Sequence, residues 1–275
     1  MSKTLENLQL SARQQVYTLL IGNNLSSLHG EGNDFSGLRE YQAGDDIRKI
    51  SWMISAKLGV PYIKESQTHK EVSIVVAALM DGSLYFAKGN AKQKKLTEIA
   101  AILGYACEHQ GDLFTGFCYT QDRHIVIPPT KQLYAIHQFS KTLFEMPLLH
   151  TTLDTDASMK NLFQSVQKPS LIFVLGDFLE EVDLSLLAQK HEIISIIIRD
   201  KEEESLKIQG EVTLTSPQNT TQVKTYLGKR NIEKYLINLQ QHDEKIIKHF
   251  SSCGIRHVKI FTNDDIVKKL LSLFS

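Results

Sequence analysis

Apolar residues recur along this chain with two different spacings, one typical of helices and the other of buried strands. Leu5, Leu8 and Ala12 recur at helical intervals near the N-terminus, which predicts an amphipathic helix. Residues 72–80 instead form an almost continuous apolar run rich in β-branched side chains. Such a run is typical of a strand that is buried on both faces of a parallel sheet.

The same two patterns alternate through the rest of the chain. Strands are predicted at 113–119, 123–127, 170–175, 192–198 and 256–261, and helices around 96–107, 133–143, 159–166 and 232–250. This alternation predicts an α/β fold, a doubly wound, mostly parallel sheet with helices on both faces. We expect residues 1–70 to form an N-terminal wrap on a main domain of residues 71–275, with a small β insertion around 201–228.

Composition excludes few classes of protein, but it shapes the choice of partner. The chain has 31 basic and 31 acidic side chains, so no global field attracts nucleic acid. The basic run at 88–95 leaves nucleic-acid binding as a weak alternative, although an exposed helix start explains it better. Apolar runs are shorter than the roughly 20 residues that a spanning helix needs, and the N-terminal stretch has no apolar signal core. We therefore expect a cytoplasmic protein.

The three cysteines do not predict a metal site or a disulfide framework. Cys107, Cys118 and Cys253 lie far apart without a C-x-x-C spacing, which zinc sites usually have. The first falls on a helical apolar stripe and the second in a predicted strand. Buried, unreactive thiols are the expected outcome.

Polar residues that could carry chemistry follow the predicted buried strands. Asp81 comes directly after one such strand, Asp177 comes one glycine after another, and Ser83 follows two residues after Asp81. Ligands of open parallel sheets bind beyond the carboxyl ends of the strands, where the strand order reverses. Thr155, in the loop before another helix, could add a hydroxyl. Carboxylates and hydroxyls around one point suit a hard cation such as Mg²⁺.

These residues resemble the metal-ion-dependent adhesion site of von Willebrand factor A domains. That site has the pattern Asp-x-Ser-x-Ser after the first strand, then a threonine, then an aspartate after a central strand. Asp81, Ser83, Thr155 and Asp177 match it, but Tyr85 stands where the second serine should be. Because that serine normally binds the metal, the resemblance implies a degenerate site. Two interpretations stay open: a weakened Mg²⁺ site, or polar residues that only hydrogen-bond the loops.

A second resemblance lies between the N-terminal helix and the first buried strand. Residues 34–65 read DFSGLREYQAGDDIRKISWMISAKLGVPYIKE, which closely resembles the signature of the bacterial domain-of-unknown-function 58 family. The match is nearly continuous and includes several uncommon positions, among them Arg39, Tyr41, Asp45, Asp46, Arg48 and Trp52. The similarity extends to the strands that precede Asp81 and Asp177, and so covers nearly the whole chain.

Charges and aromatics in this signature segment allow a structural and a functional interpretation. In the structural one, Arg39 pairs with Asp45 or Asp46, Arg48 pairs with Glu40, and Trp52 lies in an apolar pocket. In the functional one, the segment is a partner-binding surface, with contacts from Arg39, Asp45, Asp46 and Arg48. We favour the structural interpretation for Trp52 and leave both open for the arginines.

Family resemblance implies a protein-interaction module rather than an enzyme. Members are thought to work with MoxR-type AAA+ ATPases as chaperone-like systems, and a partner carboxylate would complete the Mg²⁺ shell at Asp81, Ser83 and Thr155. If Tyr85 closes the site, the surrounding loops would make the contact without metal. The alternative is a metal-dependent hydrolase or nuclease that uses the crevice between Asp81 and Asp177. The sequence has no G-x-S-x-G, Walker A or H-E-x-x-H motif that would favour catalysis.

Overall fold

A computed structural model describes residues 3–21, 37–42, 45, 47, 50–65, 72–86, 89–121, 124–206 and 209–273. Its helices are α1 (Lys3–Ile21), α2 (Trp52–Leu58), α3 (Ala91–Gln110), α4 (Leu133–Glu145), α5 (Thr155–Ser165), α6 (Ser185–Ala188), α7 (Lys201–Glu204), α8 (Lys229–Ser252) and α9 (Ile266–Leu271). Its strands are β1 (Gly37–Glu40), β2 (Tyr62–Glu65), β3 (Ser73–Leu79), β4 (Leu113–Tyr119), β5 (His124–Thr130), β6 (Leu171–Gly176), β7 (Glu192–Arg199), β8 (Gly210–Thr215), β9 (Gln222–Leu227) and β10 (Arg256–Phe261).

Six of these strands form the central sheet, in the order β10-β7-β6-β3-β4-β5. All neighbouring pairs are parallel except β4 with β5, which is antiparallel at one edge. The first strand of this sheet along the chain is β3, which lies in the middle. Strands β4 and β5 follow on one side of β3, and β6, β7 and β10 then follow on the other side. The order therefore reverses between β3 and β6, which is the position where doubly wound sheets bind ligands. The predicted fold class is confirmed.

The central strands are apolar at successive positions because their side chains alternate between two buried faces of the sheet. Ile74, Val76 and Ala78 belong to a core beneath α1, α3, α4 and α9. Val75 and Ala77, between them, belong to a second core beneath α5, α6 and α8. Successive side chains of a strand point to opposite faces, so a strand with helices on both sides needs an apolar residue at every position.

Helix α1 belongs to the first of these two cores. Leu5 and Ala12 are fully buried, as their helical spacing predicts. Gln9 lies between them and is also buried, and its side-chain amide donates to Ser140 Oγ at 2.8 Å on α4. A buried amide needs such a partner because an unpaired one costs free energy. The limits predicted for the two domains are not tested by this contact.

The signature segment forms a small ribbon in which one prediction is wrong. Strands β1 and β2 pair antiparallel, and Arg39 makes the predicted ion pair with Asp45, with two bonds of 2.7 Å. Trp52 is 66% exposed rather than held in an apolar pocket. It opens a helix of seven residues, none of them buried, whereas Ile63 of β2 is buried. The predicted positions Asp46 and Arg48 lie outside the described residues.

A charge network joins the outer strands of the sheet to α8. Arg199, fully buried at the end of β7, donates to Asp243 Oδ1 at 2.8 Å. Lys259 of β10 donates to Asp243 Oδ2 at 2.6 Å and to Glu204 at 2.7 Å. Burial would raise the pKa of Asp243, but the hydrogen bond from Lys259 and the charge of Arg199 lower it below the ordinary 3.8.

Replacing Asp243 by asparagine should destabilise the protein by about 3 kcal/mol at neutral pH, because Arg199 would stay buried without its anion. A carboxylate whose pKa is lowered by folding stabilises above its ordinary value and loses that contribution as pH falls through the folded-state value. The difference from the wild type should therefore shrink in acid. Urea unfolding at neutral pH and near pH 3 measures both effects.

Glu192→Gln is the matched control, since Glu192 pairs with Arg256 on the surface. Exposed pairs contribute roughly 0–1 kcal/mol, so this variant should unfold almost like the wild type. Equal losses in the two variants would contradict a special role for the buried pair.

Candidate functional site

Asp81 and Asp177 lie side by side at the switch point of the sheet. Asp81 follows β3 after one intervening residue and Asp177 directly follows β6, and these two strands are hydrogen-bonded neighbours. Both residues are buried, at 8% and 6% exposure. The structure thus brings together the two carboxylates that the sequence places after buried strands.

Asp81 is held by its own turn and by a distant loop. A short 3₁₀ turn, Gly82–Tyr85, follows Asp81, which caps its N-terminal end. Asp81 Oδ1 accepts hydrogen bonds from the backbone N–H of Ser83, at 2.9 Å, and from the Ser83 hydroxyl. Asp81 Oδ2 accepts from Gln218 Nε2 at 3.0 Å, and the same amide donates to Glu180 Oε1 at 2.9 Å. The hydroxyl that was predicted to bind a metal therefore bonds to Asp81.

Asp177 is held by a buried lysine. Its Oδ2 accepts from Lys92 Nζ at 2.8 Å, and its Oδ1 accepts from the backbone N–H of Leu179 at 3.2 Å. Lys92 is fully buried and also donates to Glu203 Oε1 at 2.7 Å. The other oxygen of Glu203 accepts from the backbone N–H of Asp200 at 2.8 Å, in a capping box of α7. We call Lys92, Asp177 and Glu203 the buried triad.

The two aspartates differ in how readily they take a proton. Burial and the neighbouring charge of Asp177 raise the pKa of Asp81. Burial also acts to raise the pKa of Asp177, but the Lys92 ammonium outweighs it and holds that pKa below its ordinary value. Asp177 therefore gives up its proton more readily than Asp81.

Thr155 and Tyr85 complete the set of predicted residues. Thr155 lines a cavity of about 20 Å³ together with Asp81, Asp177 and Glu180, and its hydroxyl donates to the Glu181 carbonyl at 3.2 Å. Tyr85, at the end of the 3₁₀ turn, is 41% exposed. Asp81, Thr155 and Asp177 thus line one small space, while the Ser83 hydroxyl bonds to Asp81 and Tyr85 is exposed.

These contacts test whether the residues fit a divalent cation. Mg²⁺ requires nearly ideal octahedral geometry with oxygen ligands. All four carboxylate oxygens of Asp81 and Asp177 already accept hydrogen bonds, and the Lys92 ammonium already balances Asp177. Among the described residues, no group of three or more His, Cys, Asp or Glu side chains is arranged to hold a metal ion. As these side chains are arranged, the donor set does not fit Mg²⁺. Whether the chain binds the cation is left to the titration described below.

The tip of the β8–β9 hairpin lies directly over this crevice. A Cβ built on Gly82 would be 2.3 Å from the Pro217 carbonyl oxygen, so only glycine allows so close an approach. The Pro217 carbonyl accepts from the His150 backbone N–H at 2.7 Å, and the Gly82 N–H donates to the Thr151 carbonyl at 2.9 Å. Three loops, 82–86, 148–152 and 216–221, are thereby joined to one another. We call these joined loops the edge surface.

Exposed apolar side chains lie on the edge surface. Tyr85 is 41% exposed, Phe86 36% and Leu149 45%. Water-exposed apolar residues are common singly, but these three belong to two loops that are hydrogen-bonded to each other. Clustered exposed apolar residues are typical of protein-interaction sites.

Three of the residues that shape the site were not predicted, and their signals differ. Lys92 precedes Leu96 by one helical turn and so lies on the same inward stripe of α3, although the basic run around it indicated an exposed helix start. Glu203 follows Asp200 by three residues, which is the spacing of a capping box. Gln218 is 137 positions from Asp81, and nothing in its local sequence indicates the contact.

Comparison with known proteins agrees with the signature. Strand order and switch-point carboxylates define a doubly wound α/β domain of the von Willebrand factor A-like kind. A family model described as "Protein of unknown function DUF58" matches residues 37–245, so the chain belongs to the DUF58 family. An uncharacterized protein of Mycobacterium tuberculosis, Rv1480, is 20% identical over 272 residues, 96% of this chain and 86% of its own. The uncharacterized protein Mb1516 of Mycobacterium bovis matches equally.

Solved structures with partial similarity include two proteins from different sources. The conserved hypothetical protein BatB of Bacteroides thetaiotaomicron is 10% identical, with a TM-score of 0.43 over 74% of this chain and 96% of its own. The SpRpn10 VWA domain is 12% identical, with a TM-score of 0.36 over 74% and 94%. The fold assignment rests on the strand order, to which such scores add nothing. None of the described helices is long and apolar enough to cross a membrane.

Replacing Gly82 by alanine should displace the hairpin tip, because the new methyl group would collide with a backbone carbonyl rather than a movable side chain. Overpacking of this kind costs about 1–3 kcal/mol. Hydrogen exchange of the His150 amide should accelerate, since its bond to Pro217 would be lost. The Met80 amide, which donates to Tyr119 within the sheet, is the internal control. Unchanged exchange at His150 would contradict the close packing.

Trp52 offers an independent check on the signature ribbon. It is the only tryptophan in the chain, so fluorescence reports on it alone. A side chain with 66% exposure should be quenched by iodide almost as efficiently in the native protein as in urea. Strong protection in the native state would show that Trp52 is covered.

Proposed function

We propose that this chain is a non-enzymatic interaction module that works with a MoxR-type AAA+ ATPase in a chaperone-like system. The partner would bind the edge surface, through Tyr85, Phe86 and Leu149. One observation carries the proposal: apolar side chains are exposed on loops that hydrogen bonds hold together. Membership in the DUF58 family supports an interaction role at a coarse level, and the ATPase is the partner that the family resemblance implies.

Contacts at the crevice favour docking over chemistry. Metal-assisted hydrolysis needs an open coordination position for water or substrate. Here Gln218 and Lys92 bond to the carboxylates, and the hairpin tip covers Gly82. The loops around the crevice thus present a surface, while the groups that could activate water are turned towards partners within the chain.

Basic residues of α3 do not form the exposed patch that nucleic-acid binding would use. Lys92 is fully buried, and Lys94 and Lys95 are partly buried. Lys95 also donates to the Asp264 carbonyl at 3.0 Å. Position 88, at the start of the basic run, lies outside the described residues. The described lysines therefore support the interaction module rather than the nucleic-acid alternative.

The double variant Tyr85→Ala/Leu149→Ala should weaken binding to a purified MoxR-type AAA+ ATPase by about tenfold or more. A few residues carry most of the binding energy of an interface and tyrosine is common among them, and the leucine adds apolar area that binding removes from water. Surface plasmon resonance measures the Kd. Tyr134→Ala/Leu186→Ala is the matched control, since Tyr134 and Leu186 are 70% and 43% exposed. They lie near the opposite end of the sheet, where β5 ends and β7 begins, and this variant should bind like the wild type.

Three outcomes would count against the proposal. Equal weakening in both double variants would show that the edge surface is not the binding site. If the wild type does not bind the ATPase, the ATPase is not the partner. Mg²⁺-dependent hydrolysis of a phosphodiester or peptide substrate that Asp81→Ala abolishes would favour the hydrolase or nuclease instead.

A further inference from the structure

The switch point carries an unusual amount of buried negative charge. Asp81, Asp177 and Glu203 are each no more than 8% exposed, and the exposed Glu180 is connected to Asp81 through the amide of Gln218. Buried carboxylates are costly unless they are paired and hydrogen-bonded. A von Willebrand factor A-type site balances its aspartates with a divalent cation, so this chain must balance them in some other way.

We infer that two groups of the chain itself, the ammonium of Lys92 and the side-chain amide of Gln218, take the place of that cation. Lys92 supplies the positive charge, by binding Asp177 at 2.8 Å and Glu203 at 2.7 Å. Gln218 supplies the hydrogen bonds, by donating to Asp81 at 3.0 Å and to Glu180 at 2.9 Å. The edge surface is therefore held together without metal.

The position of Lys92 supports this role. It is the second residue of α3, and a cation in the first turn of a helix is disfavoured by the helix dipole. A surface lysine avoids this cost by extending into water, but Lys92 has no exposed area. Its ammonium also lies 5.9 Å from the centre of the Phe86 ring. Two carboxylates and one aromatic face thus surround a single charge.

Gln218 connects the carboxylates of the crevice to the β8–β9 hairpin. It lies in the tip between β8 and β9, next to Pro217, which closely approaches Gly82. A neutral amide can donate to two carboxylate oxygens at once, so one side chain connects the hairpin to both Asp81 and Glu180. The hairpin tip therefore occupies the side of the crevice from which a ligand would approach.

The inference rests on the proposed function only in its biological consequence, which is that a partner docks on the edge surface without a metal ion. The test uses the isolated full chain without any partner, so its failure is separate from a failure of docking. Mg²⁺ and Mn²⁺ are the probes, with thermal unfolding and titration calorimetry as the readouts. A cation that saturates a native-state site raises the Tm by several degrees.

The wild type should show no change in Tm and no heat of binding with either cation. Lys92→Met keeps most of the length of the side chain, one atom fewer, but removes its charge. We expect its Tm to fall by about 10 °C, and excess Mn²⁺ or Mg²⁺ to restore part of that loss. Lys95→Met is the control on the same helix, because Lys95 is also largely buried but donates to a backbone carbonyl. It should lose stability without any response to the cations.

Cation binding by the wild type that Asp81→Asn abolishes would overturn the inference, and so would a Lys92→Met variant as stable as the wild type. If Lys92→Met does not fold, the triple variant Lys92→Met/Asp177→Asn/Glu203→Gln decides the matter. It removes all three charges but keeps the acceptors for Leu179 and Asp200. A folded triple variant supports the charge role of Lys92, whereas a triple variant that also fails to fold overturns it.

Discussion

The ion pairs of Lys92 are the interaction on which the rest of the site depends. One ammonium without exposed area joins α3 to Asp177 after β6 and to Glu203 of α7. Such an arrangement is stable only when both carboxylates are present, because a buried charge that loses a partner costs several kcal/mol. The positions of three elements around the switch point are therefore coupled through a single side chain.

The closed crevice and the exposed surface around it follow from that coupling. With Asp177 turned towards Lys92, Asp81 is left to bond with Ser83 and Gln218, and the Gln218 bond holds the hairpin tip over Gly82. The tip is in turn hydrogen-bonded to the loop that exposes Leu149. A change in the charge balance at Lys92 should therefore alter the edge surface.

The sequence predicts the parts of this arrangement that depend on local pattern. Alternation of buried faces accounts for β3 and β6, and the sheet topology then places Asp81 beside Asp177. The prediction for Trp52 is wrong because a large apolar side chain usually indicates burial, whereas no residue of the short helix α2 is buried. Lys92 was missed because its basic neighbours obscure the apolar stripe of α3. The Gln218 contact depends on how a distant hairpin folds back, which no local pattern encodes.

The buried Lys92 changes how the degenerate motif, which has Tyr85 in place of a serine, is interpreted. A site that had only lost a ligand would retain two buried aspartates without compensation, and such charges would destabilise the fold. Asp81 and Asp177 are nevertheless buried, because neighbouring donors satisfy every one of their carboxylate oxygens. The buried aspartates are therefore stabilised by an alternative solution, in which the chain's own cation and amide bond to them while the apolar side chains of the edge surface stay exposed.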